Sequence, residues 1–127
     1  MTPLRTDQSE LVDSFLREIS EWSDFMDLGP IHANSRREPY GNTPLKIASV
    51  QGDVPLVEAL LAAGADVHAR NEDEMTALHY AVAQGHMGVV RALMLAGADP
   101  LTLDRYERSP LDYADAAEMR ELLLEQP

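Results

Sequence analysis

The chain has 127 residues, 45% of them hydrophobic, which is enough for one core of ordinary domain size. It contains no cysteine, so disulfide scaffolds and thiolate metal sites are excluded and a reducing compartment suits it. A net charge of −12 argues against nucleic acid and anionic membranes as partners, and makes solubility, or steering of a protein with a basic surface, the expected use of the charge.

The first residues, Met1-Thr2-Pro3-Leu4-Arg5-Thr6-Asp7, lack the apolar core of a signal peptide. No later segment reaches the roughly 18 apolar residues of a membrane span, so a soluble, cytoplasmic protein is expected. The chain starts with Met and ends just past a capping element, which reads as a complete small protein. From Asp7 to about Met26, Leu11, Phe15, Ile19, Trp22 and Met26 recur at three and four, with Val12, Leu16 and Phe25 beside them; this predicts an amphipathic helix. Asp7 and Glu10 offer a capping-box-like start, and Gly29-Pro30 ends the segment. Residues 31–41 have no helical period and read as a loop.

From Gly41 onward the chain repeats itself. Asn42-Thr43-Pro44-Leu45 returns as Met75-Thr76-Ala77-Leu78 and as Arg108-Ser109-Pro110-Leu111, each copy 33 residues after the last. Gly52 and Gly85 keep that offset, as do Gly64-Ala65-Asp66 and Gly97-Ala98-Asp99. A fixed period of this length is the signature of a stacked repeat array. Within each copy Thr43, Thr76 and Ser109 are suited to an N-cap, and Pro44 and Pro110 stand where a missing N–H costs nothing. A short first helix follows, with Leu45/Ala48, Leu78/Ala81 and Leu111/Ala114 on one face. Gly52 and Gly85 close it. A second helix is predicted over about Pro55 to Ala63 and Gly88 to Ala96, with inner stripes Val57, Leu60, Leu61 and Val90, Leu93, Met94. In the last copy Met119, Leu122 and Leu123 arrive four residues early and Glu118, Glu121 and Glu125 face outward, as a terminal capping unit requires.

These residues resemble the ankyrin repeat. The resemblance rests on Gly41-Asn42-Thr43-Pro44-Leu45, Thr76-Ala77-Leu78-His79, Gly85-His86, Gly64-Ala65-Asp66-Val67-His68-Ala69 and Ser109-Pro110-Leu111-Asp112-Tyr113-Ala114, and covers about two-thirds of the chain. It implies an all-α ankyrin-repeat solenoid, helix-turn-helix units joined by hairpin fingers. The expected organisation is an N-terminal helical cap and linker over 1–35, then repeats over 36–68, 69–101 and 102–127. Two departures stand out. The turn glycine kept at Gly41 is replaced by Glu74 and Glu107, which makes a left-handed turn harder to form there. The family's histidine survives only at His79, with Lys46 and Asp112 in its place elsewhere, so its hydrogen bonds between repeats are in doubt in two of three units.

Chemistry-bearing patterns are sparse. His32, His68, His79 and His86 form no HxxxH pair, and Glu72-Asp73-Glu74 lacks the alternating spacing of a calcium loop, so no metal is expected. No phosphate-binding glycine loop or nucleophile elbow appears, so neither a cofactor nor enzymatic activity is expected. The resemblance implies instead that a partner protein meets the fingers and the exposed ends of the first helices. The positions carried over are Arg37, Pro39, Tyr40 and Asn42, then Arg70, Glu72, Asp73 and Met75, then Leu103, Arg105, Tyr106 and Arg108, with Val50, Gln51, Ala83 and Gln84 at helix ends. Tyr and Arg are the side chains most enriched at interface hot spots. The expected function is that of a monomeric, non-catalytic inhibitor or immunity-type protein that occludes a toxin or enzyme. The rival expectation is a structural adaptor or oligomeric scaffold subunit assembling through the N-terminal helix.

Overall fold

The computed structural model describes residues 6–20 and 43–124. Its elements in chain order are α1 (Thr6–Ser20), α2 (Pro44–Gln51), α3 (Val54–Ala62), α4 (Ala77–Gln84), α5 (Met87–Leu95), a 3₁₀ helix (Pro110–Tyr113) and α6 (Ala117–Leu124). There is no strand among the described residues. α2, α4 and the 3₁₀ helix pack side by side as an inner layer, while α1, α3, α5 and α6 pack in succession as an outer one. This is an all-α solenoid of stacked helix pairs.

The caps explain where helices begin. Thr43 Oγ1 accepts from the Lys46 amide at 3.3 Å, and Ser109 and Asp112 form a reciprocal capping box at the start of the 3₁₀ helix. α3 begins one residue before the sequence expectation because Asp53 caps it, accepting from the Leu56 amide at 3.2 Å. Gly52 ends α2 in the left-handed region at φ 76°, and a Cβ there would lie 2.8 Å from the His86 ring. That ring reaches back to the preceding repeat, where Nε2 hydrogen-bonds the Val50 carbonyl at 2.9 Å. The Gly and His of successive copies therefore interlock.

The buried face of the outer helices is broader than the predicted stripes. Leu56, Val57 and Leu60 are buried in α3, and Val89, Val90 and Leu93 in α5, whereas Leu61 and Met94 are only partly covered. α3 and α5 each touch both their own inner helix and the next outer helix, so two adjacent rows are needed. A larger correction falls on α1. Val12 and Phe15 are buried with Leu16 partly covered, but Leu11, expected to lead the stripe, is 36% exposed. An i, i+3, i+4 row starting at Val12 is the one that joins the core when α1 packs on α3. The Ile19 side chain, Trp22, Phe25 and Met26 lie outside the described residues.

Glu74 and Glu107 adopt the left-handed turn despite their side chains, at φ 61° and 60°. Such a conformation costs a non-glycine residue about 1–2 kcal/mol, partly offset by the about 0.5–1 kcal/mol that glycine loses in entropy. Glu74→Gly and Glu107→Gly are each expected to raise unfolding free energy by about 0.5–1 kcal/mol. Urea titration checks this, and a loss of stability would contradict it.

Candidate protein-binding surface

The two described fingers are tight turns built on one acceptor side chain each. In the second unit Asn71 Oδ1 accepts from the amides of Asp73 (3.0 Å) and Met75 (3.1 Å), and Nδ2 donates to the Tyr80 hydroxyl at 2.6 Å. In the third unit Asp104 Oδ1 accepts from the amides of Tyr106 (2.8 Å) and Arg108 (3.0 Å), and Oδ2 accepts from the Tyr113 hydroxyl at 2.5 Å. Backbone bonds complete both turns, from Glu74 N to Asn71 O and from Glu107 N to Asp104 O.

Asp104 is 4% exposed. Burial pushes its carboxyl upward, but the hydrogen bonds from the Tyr113 hydroxyl and the Arg108 and Tyr106 amides together hold it below its ordinary value. The same carboxylate, with burial, pushes the Tyr113 hydroxyl up to about 12. Asp104 is thus a charged acceptor for three donors, and Tyr113 stays protonated to be one of them.

His79 ties the third finger to α4. Its Nδ1 accepts from the Thr76 amide at 3.0 Å, so the proton sits on Nε2, which donates to the Arg108 carbonyl at 3.1 Å. Burial lowers its pKa, outweighing the Arg108 hydrogen bond and the Asp104 charge, which act to raise it. Because the folded value lies below the ordinary 6.5, the neutral ring's contribution is complete above that pH and is lost as pH falls through the lowered native value. Urea midpoints are therefore expected to fall between neutral and mildly acidic pH, and to fall less in His79→Gln.

Two further contacts fix the fingers relative to each other. The Arg105 amide donates to the Asp73 carbonyl at 2.9 Å, and the two side chains form an ion pair at 3.5 Å with 56% and 41% exposure. The pair is screened by solvent and worth about 0–1 kcal/mol. Arg108 lies over the Tyr113 ring at 5.9 Å, and Lys46 over the Tyr80 ring at 4.5 Å.

The predicted positions separate accordingly. Arg37, Pro39, Tyr40 and Asn42 lie outside the described residues. Arg70, Glu72, Arg105, Tyr106 and Arg108 are exposed on the fingers, Tyr106 to 60%, with Leu103 exposed beside them. Gln51 and Gln84 are exposed at the C-terminal ends of the packed helices α2 and α4. Asp73 and Met75 are half-buried and their amides are engaged, so they help to build the finger. Asn71, Tyr80, Asp104 and Tyr113 were not among the predicted positions. The signal for them was present, since Asn71 and Asp104, and Tyr80 and Tyr113, each stand 33 residues apart.

Residues 45–127 match the family model for ankyrin repeats, in three copies. The chain belongs to the ankyrin-repeat family. Ankyrin repeats are protein–protein interaction modules, and that is the functional class of this chain; proteins of the family are generally non-catalytic. The family's histidine bond between repeats is made at His79, the position that keeps the residue, while Asp112, which replaces it in the third unit, bonds within its own unit by accepting from the Ser109 amide at 2.8 Å. Among the described residues no helix is long and apolar enough to cross a membrane, and no group of three or more His, Asp or Glu could hold a metal ion.

Proposed function

We propose that this ankyrin-repeat protein binds and occludes one partner protein, as a small inhibitor or immunity-type protein does, and that the partner is a toxin or enzyme with a basic surface. The observation that carries the reading is the third finger: Arg105, Tyr106 and Arg108 project from a turn whose backbone is pinned by Asp104 and His79. Rigid presentation of a Tyr flanked by Arg lowers the entropy cost of docking. Arg70 and Glu72 of the second finger and Gln51 and Gln84 extend the surface, and Arg37, Tyr40 and Asn42 would continue it toward the N-terminus.

The net charge of −12 supports steering of a basic partner, with the finger arginines meeting acidic spots inside an otherwise basic face. A cap and linker over 1–35 followed by units 36–68, 69–101 and 102–127, acting as a cytoplasmic monomer, completes the proposal. The rival reading of a scaffold that assembles through the N-terminal helix has less support, because Val12 and Phe15 are already spent on the core.

Affinity capture followed by an activity assay tests this reading. The captured partner is expected to be basic, to lose its activity in proportion to added protein, and to associate more slowly as ionic strength rises. A captured partner that keeps full activity when saturated would overturn the inhibitor reading.

A further inference from the structure

The shortened third unit leaves a cleft that the period would otherwise have filled. α2 and α4 each have 8 residues, but the 3₁₀ helix stacked beside α4 has 4. At their characteristic rises, about 12 Å of α4 faces about 8 Å of 3₁₀ helix, so the last turn of α4 has no counterpart. The result is an open cleft of about 450 Å³. Val82, Met87 and Met119 line it with apolar surface, and the exposed Ala83 and Gln84 line it too. Asp115 and Glu118, both exposed, also line it, and neither has an ion-pair partner among the described residues. The neighbouring Arg120 turns its Nε to the Ala114 carbonyl at 2.9 Å.

We propose that this cleft is a second recognition site, which takes an extended segment of the partner carrying one aliphatic or aromatic anchor flanked by Lys or Arg. An apolar lining supplies burial for the anchor, and two methionines let it adapt to the shape inserted. Two unpaired carboxylates in the lining select cationic flanks. The same charges disfavour a second copy of this acidic chain as the occupant. The proposal rests on the reading of a partner-binding protein and shares Gln84 with the surface proposed above, but it uses no finger residue. It adds a specificity that finger side chains do not provide.

The test is selection of a displayed library of random 12-residue peptides on the full chain, with counter-selection on Ala83→Arg, which places a cation in the lining at an exposed helical position. Enriched peptides are expected to carry an apolar residue with Lys or Arg within a few positions. They should bind Asp115→Asn/Glu118→Gln at least about tenfold more weakly, and bind Arg105→Ala/Tyr106→Ala as well as wild type. Enrichment of peptides with no basic bias, binding that Ala83→Arg leaves intact, or no enrichment at all would overturn the cleft. Concentration-dependent dimerisation abolished by Ala83→Arg would put a second copy there and overturn it as well. Peptide binding lost only in the finger variant would support the finger reading while sinking this one.

Discussion

Leu93→Ala is expected to lower the unfolding free energy by about 2–5 kcal/mol, the range for large-to-small changes at fully buried aliphatic positions. Leu93 is fully buried in α5, the outer helix that packs against both α3 and α6. A repeat array has no central core to absorb a cavity, since each unit shares its apolar face only with its neighbours. The void would therefore loosen the middle unit and its contacts on both sides together. Leu60→Ala, the same position one repeat earlier, should behave alike. Leu95, two residues on in the same helix, is 75% exposed, so Leu95→Ala should stay within about 0.5 kcal/mol of wild type. Urea unfolding of the three variants checks the assignment of faces; a Leu95 variant as unstable as the Leu93 variant would contradict it.

Asp104→Ala is expected to cost about 2–4 kcal/mol, whereas Asp104→Asn should cost about 1 kcal/mol or less. The alanine variant strips the acceptor from two finger amides and from the Tyr113 hydroxyl at once. Leaving such groups unpaired costs about 1–3 kcal/mol each when buried, and less where water can reach the finger amides. The asparagine variant has a precedent inside the molecule. Asn71 holds the second finger with the same two amide bonds and reverses the third, donating to Tyr80 where Asp104 accepts from Tyr113. Thermal melts distinguish the two substitutions, and an asparagine variant as damaged as the alanine one would show that charge, and not hydrogen-bond count, holds the third finger.

The 33-residue offset made the repeated elements readable, because the hydroxyl caps Thr43, Thr76 and Ser109, the closing glycines, and the core pairs Leu45/Leu78 and Leu60/Leu93 are each stated at least twice. Thr43, Thr76 and Ser109 all start helices where the spacing places them. α1 has no second copy against which to fix its phase, and its sequence offers two overlapping apolar rows; packing on α3 chose the one with Val12. The family's finger positions, with Tyr and Arg as favoured interface groups, single out Tyr106 but say nothing of Tyr80 and Tyr113. Those two close hydrogen bonds within their repeats, and their recurrence beside Asn71 and Asp104 is what marks them as structural. Glu74 and Glu107 show the opposite limit, since local preference argues against a left-handed turn there and the Asn71 and Asp104 bonds impose it.

The central claim is that stability resides in what the repeats share and recognition in what their finger tips do not share. Paired measurement of melting temperature and partner affinity for Arg105→Ala/Tyr106→Ala tests it most directly. A melting temperature close to wild type is expected, since both side chains are exposed and the Asp73–Arg105 pair contributes little, together with an affinity at least about a hundredfold weaker, as loss of two hot-spot residues gives. Unchanged affinity in a fully folded double variant would contradict it.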